Sequence, residues 1–122
     1  MTINDAISYF DEQCPNQYST EDKIKWLNEI DLRIWQDIIE PRLQERAEFT
    51  PYNNDDLNRE MLVTEPYTEL YRYWLEKSIA FSNRETTAFN NAMVMFNTYY
   101  DSFFGYYNRK HRKRKEHFYN II

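Results

Sequence analysis

Residues 20–40 read TEDKIKWLNEIDLRIWQDIIE, and the fold class turns on them. Ile24, Leu27, Ile30, Ile34 and Ile38 recur every three or four residues, the spacing of one face of an α-helix. Glu21 and Asp22 fall in the first turn, where the positive end of the helix dipole favours acids. Trp26 and Trp35 flank the stripe, so the apolar face is wider than one packing seam needs and predicts contacts on two sides, or with a second subunit. Pro41 closes the element, since its ring disfavours the α conformation at Glu40, and the helix is predicted over 20–39.

Upstream, Thr2 followed by Asp5 forms a capping-box start, and Ala6, Ile7 and Phe10 keep helical spacing over about 3–13. Cys14-Pro15-Asn16-Gln17-Tyr18 breaks that pattern before Ser19-Thr20. Downstream, residues 42–65 (RLQERAEFTPYNNDDLNREMLVTE) show no sustained period and read as a long loop. Phe49, Tyr52, Met61, Leu62 and Val63 make that loop too apolar for a solvated linker, so it is expected to dock, and these five residues are assigned to a subunit interface. Met61 to Thr64 is expected to form a short extended piece, on this subunit or on a neighbour's edge.

Glu65-Pro66 resembles a helix start, followed by Tyr67, Leu70, Tyr71, Trp74, Ser78 and Phe81 at helical spacing. A last stripe runs through Phe89, Ala92, Met93, Phe96, Tyr100, Phe103 and Tyr107. Helices 66–83 and 86–109 either pair antiparallel, with a break at Asn83-Arg84, or run on as one. The predicted fold is all-α: a small antiparallel helical bundle with one long ordered loop and a basic C-terminal tail. Leu27, Ile34, Trp74, Phe89 and Phe96 are its expected core markers.

The composition agrees. A chain of 122 residues suits one domain, and a single glycine argues against sandwiches and barrels with their many tight turns. Cys14 has no partner for a bridge or a CxxC motif, which fits a reducing compartment. No apolar run approaches the ~18–20 residues that cross a bilayer, and no basic residue precedes an apolar stretch at the start, so a soluble intracellular protein without membrane contact is expected. Six of the fifteen basic residues but only one of the twenty acids lie in 109–122. That segment is therefore +5 and the remainder −10, which divides the chain into a helical domain over 1–108 and a basic tail over 109–122.

Catalysis is not expected. The two histidines, His111 and His117, both sit among cations, and the acids are scattered along solvent faces and loops. Asn53, Asn54, Asp55 and Asp56 lack the alternate spacing, the turn glycine and the terminal glutamate of a calcium loop, so neither metal nor cofactor is expected. Tyr99, Tyr100, Phe104, Tyr106 and Tyr107 point around most of their helix, and some of them are expected to leave a monomer's core for an interface. Arg109, Lys110, Arg112, Lys113, Arg114 and Lys115 could be a solvated end that complements the helix dipole, or a nucleic-acid contact, or a dock for an acidic protein partner. The apolar end-piece of Phe118, Tyr119, Ile121 and Ile122 favours the protein partner, with Tyr106 and Tyr107 joining the cations and Phe118 and Tyr119 as the partner-binding set.

Taken together, TINDAISYFDEQCPNQYSTEDKIKWLNEIDLRIWQDII, EPYTELYRYWLEKSIAF and NNAMVMFNTYYDSFFGYYNRKH resemble the head-tail connector (adaptor) proteins of long-tailed phages and prophages of Gram-positive bacteria. The resemblance spans about residues 1–111 apart from loop 42–64, and PNQYS, PYxxLYxxWL and MFN…YYNR are its strongest parts. It implies an all-α subunit that forms a ring, commonly twelve-fold, below the portal protein, extends the channel through which phage DNA passes, and meets a stopper protein on the other side. It also implies a location in the host cytoplasm during assembly and then at the virion head-tail neck. A tail-assembly or tail-completion protein of the same gene cluster and a small DNA-binding module are the alternatives.

Overall fold

A computed structural model describes residues 1–112. Four α-helices follow in order: α1 (Ile3–Gln13), α2 (Thr20–Ile34), α3 (Glu69–Ser82) and α4 (Thr86–Lys110). The fold is all-α, and the one β-type pairing among the described residues is an isolated bridge between Thr2 and Glu60. No helix among them is long and apolar enough to cross a membrane.

Local chemistry sets the helix ends. Thr2 Oγ1 accepts the Asp5 N–H at 3.0 Å while the Asp5 carboxylate accepts the Thr2 N–H at 3.1 Å, which completes the capping box and holds Asp5 below the usual carboxylate range. Asn16 builds the next turn: its amide donates to the Cys14 carbonyl and to Asp11, and its oxygen accepts the Tyr18 N–H. Ser19 then caps α2 through the Asp22 N–H. Lys23, almost fully buried, reaches back to Asp11 at 2.8 Å and ties α2 to α1.

Pro41 ends α2 differently from the sequence expectation. Glu40 keeps an α conformation (φ −55°, ψ −44°), because residues Trp35–Ile39 widen into a π-turn in which the Glu40 N–H bonds to the Trp35 carbonyl. The wider turn relieves the clash that a proline makes with an α-helical carbonyl four residues back, and a short 3₁₀ turn over Glu40–Arg42 finishes the element. Pro66 is also corrected. The Glu65–Pro66 peptide is cis, residues 64–71 carry three successive i to i+3 bonds, and α3 begins only at Glu69.

α3 and α4 form an antiparallel hairpin, not one long helix. Tyr67 meets Phe103, Trp74 meets Phe96 and Phe81 meets Phe89, pairs whose numbers run in opposite directions along the two helices. Between them Arg84 takes a left-handed conformation (φ 58°), with the Glu85 N–H on the Ala80 carbonyl and the Arg84 N–H on the Phe81 carbonyl. Those two bonds satisfy carbonyls that the end of α3 would otherwise leave open.

Ile24, Leu27, Ile30, Ile34 and Ile38 of the opening stripe are buried as read, and Leu27, Ile34, Trp74 and Phe96 are core. Each large apolar side chain so removed from water contributes roughly 1.5–3 kcal/mol. Phe89 is not core. It stays half-exposed because the first turns of α4 pack only against the end of α3, where its ring partner Phe81 is itself 72% exposed.

The long loop is ordered by the chain's own helices. Tyr52, Met61 and Val63 are buried, and Phe49 and Leu62 pack against the same core. Tyr52, Met61 and Val63 are therefore corrected from subunit interface to intrachain core, and only Phe49 and Leu62 of that set keep partial exposure. The extended piece pairs within the chain as well, the Met61 N–H bonding to the Met1 carbonyl at 2.9 Å and the Ile3 N–H to the Arg59 carbonyl at 3.2 Å.

Candidate partner-binding surface

Two groups of residues stand apart from ordinary packing: a buried polar centre under the loop and an aromatic, cationic end on α4. The first is built on Asp31, which is fully buried on the core face of α2. Its carboxylate accepts from the Tyr52 hydroxyl at 2.5 Å, the Tyr71 hydroxyl at 2.7 Å and the Leu62 N–H at 3.2 Å. The Tyr71 hydroxyl in turn accepts the Val63 N–H at 2.9 Å. Burial raises the Asp31 carboxyl to about 6 against the pull of those donors, and burial beside Asp31 pushes both tyrosines up. Asn28 adds a second anchor, donating to the Tyr52 carbonyl and accepting the Tyr52 N–H. With no exposed surface and its oxygens bonded from inside, Asp31 holds the loop in place.

Asp31 is the residue that reading the sequence missed. The signal was present, since an acid four residues after Leu27 and three before Ile34 lies on the apolar stripe itself, and a buried carboxylate needs donors.

At the other end, α4 ends in an aromatic cluster. Tyr106 lies against Tyr67 at 5.1 Å between ring centres, Tyr107 against Phe103 at 5.7 Å, and His111 stacks on Tyr107 at 4.1 Å. Lys110 sits 5.5 Å over Tyr106, and burial raises the Tyr107 hydroxyl. Arg42 braces this end from the 3₁₀ turn: it donates to the Asn108 side chain at 2.6 Å and lies over the Phe104 ring at 5.5 Å. Arg109, Lys110, His111 and Arg112 are exposed, and Arg109 and Lys110 occupy the last turn, where the helix dipole favours cations.

Of the expected partner-binding set, Tyr106, Tyr107, Arg109, Lys110 and Arg112 come together on this end, with the two tyrosines half-covered by the chain's own rings. Lys113, Arg114, Lys115, Phe118 and Tyr119 lie outside the described residues. α4 itself runs through Lys110, past the 108/109 boundary drawn from charge. The surplus of aromatics proves smaller than the helical wheel implies. Tyr100 is buried under Arg33, Tyr99 stacks on Tyr73, and only Phe104 among the five is exposed.

The remaining face of α4 is unusual for its chemistry. Residues 86–100 carry no charge, and Thr87, Asn91, Val94, Met95 and Thr98 are exposed there, with Val94 at 64%. Depletion of charge with retention of Met and aromatic side chains is a mark of interface centres. Among the described residues no group of three or more His, Cys, Asp or Glu could hold a metal ion. Comparison with known proteins gave no match: no family model, no curated protein and no solved structure is similar to this chain.

Proposed function

We propose that this chain is a structural adaptor of the head-tail connector kind that its sequence resembles, without catalytic activity, joining a portal protein on one side to a stopper or tail-completion protein on the other. The observation that supports this reading best is the polarity of the molecule. An acidic helical body ends in an exposed aromatic and cationic helix terminus, and that terminus continues into a strongly basic segment with an apolar end. In this reading the terminus of α4 and residues 109–122 dock on an acidic surface of the portal, and the charge-free face of α4 packs in the ring around the DNA channel. A ring that forms only on the portal is consistent with a monomer in solution, since ordering a segment costs entropy until the partner is present.

The test is deletion of 109–122 in the phage or prophage that encodes the chain. The helical body is expected to stay folded, because its core extends only to Phe103 and the flanking Tyr106 and Tyr107. Attachment to heads is expected to be lost, with tailless heads accumulating. Normal attachment and titre would refute the docking role of the segment. Recovery of the intact chain with tail components and never with heads would favour a tail-completion protein instead.

A further inference from the structure

Among the helical elements α4 touches only α3 and the π-turn, through a stripe centred on Ala92, Phe96 and Phe103. On the opposite side Arg84 of the turn and Thr87, Asn91, Val94, Thr98 and Asp101 of α4 are all exposed. Their spacing alternates three and four residues, which gives the a and d positions of a heptad seam. Val94 on the seam is 64% exposed, and Met95 beside it is 37% exposed. The Thr98 hydroxyl donates to the Val94 carbonyl of its own helix at 3.0 Å, so a partner can cover it without leaving that donor unpaired. No charge lies between Glu85 and Asp101, and covering the centre of the seam therefore desolvates none.

We propose that this face pairs with the same face of a second copy, the two α4 helices running antiparallel about a two-fold axis level with Ala92 and Met93. Charge selects that occupant and that direction. An antiparallel pair sets each a position of one helix against a d position of the other. Asn91 then faces the partner's Val94, Thr87 the partner's Thr98, and Arg84 the partner's Asp101, each pair occurring twice. Neither Arg84 nor Asp101 has an ion-pair partner within its own chain among the described residues, so both charges are available at the two ends of the seam. A parallel pair would instead bring like charges together at both ends. The two Asn91 side chains flank the axis, where a polar a position fixes register and the number of helices. A nucleic acid would meet a single cation on this seam, and a charged peptide would find no field to match. This inference stands apart from the connector reading and describes the free chain: a two-fold pair closes on itself, so the face must part before it can enter a ring.

Sedimentation of the full chain from about 5 to about 500 µM is expected to show monomer passing to dimer and nothing larger. Arg84→Asp and Asp101→Arg are each expected to weaken the dimer roughly tenfold, since each reversal acts at both ends, and the double variant to recover most of that loss. Direction is read by cross-linking. Cys14→Ser chains carrying either Thr87→Cys or Thr98→Cys are mixed, one of them ¹⁵N-labelled, mildly oxidised, and the disulfide-linked pairs weighed by mass spectrometry. Mixed pairs are expected to dominate, because in the antiparallel arrangement like positions lie roughly 16 Å apart along the axis. A monomer at every concentration, a dimer indifferent to the charge reversals, a double variant no tighter than the single ones, or an excess of like pairs would overturn the proposal. Assembly beyond two copies would overturn it as well, because a two-fold contact closes.

Discussion

Loop 43–68 and helix α4 invert the usual relation between regularity and anchorage. The loop has almost no repeating hydrogen bonds, yet it buries Tyr52, Met61 and Val63 and is fixed from inside by Asp31 and Asn28. α4 has 25 residues of unbroken helix but is held along one stripe, with Ala92, Phe96, Tyr100 and Phe103 buried and most of its other faces open. Order in this molecule follows buried partners and not secondary structure: a satisfied carboxylate orders a loop as firmly as a stripe of rings orders a helix.

Four changes would break or sharpen that contrast. Phe96→Ala removes the ring that Trp74 and Tyr100 enclose on the single anchored stripe of α4, and is expected to cost roughly 3–5 kcal/mol in urea unfolding. A loss below about 1 kcal/mol would mean that α4 is held by something other than its stripe. Asp31→Ala is expected to cost about 3 kcal/mol at pH 7, since it leaves two tyrosine hydroxyls and the Leu62 N–H without their acceptor. Faster amide exchange in 49–63 than in α4 would locate the loss in the loop.

Third comes pH. The folded Asp31 carboxyl is raised to about 6 from an ordinary 3.8, so the folded state holds this proton more tightly than the unfolded chain does. Asp31 therefore favours folding most below about pH 4, and that contribution falls as pH rises to about 6, by on the order of 2–3 kcal/mol. Stability of the native chain relative to Asp31→Asn should decline across that window and level off above it. A difference that stays flat from pH 4 to 7 would show that Asp31 titrates normally. The smallest effect is expected at the turn that launches α4. Arg84→Gly relieves a left-handed non-glycine residue and should raise stability by about 1 kcal/mol, or a few degrees in thermal melting.

These contrasts also mark what the sequence discloses. The isoleucine stripe of α2, the Thr2 and Asp5 cap and the rings of α4 are repeating or short-range signals, and each was legible. The loop was legible only as apolar and aperiodic. Its partner is a single acid of α2, 21 residues from Tyr52 and 40 from Tyr71, and no local pattern joins them. Phe89 departs from the expected core because a helical stripe shows which face is apolar but not how far its neighbour extends. The cationic end of α4 is plain from charge alone.

The π-turn at Trp35–Ile39 carries a consequence for how such chains can vary in length. A wide turn holds one residue more than the α-helix around it, so it works as an absorbed insertion. Removing exposed Gln36 would return the segment to regular winding and leave the residues after it facing nearly as they do now. Pro41 would then press again on the carbonyl four residues before it, the clash that the wide turn relieves beside the Arg42 brace to Asn108. Chains that share this architecture should therefore keep the length of this turn while tolerating gains and losses among the exposed residues 53–55, where the loop bulges into solvent.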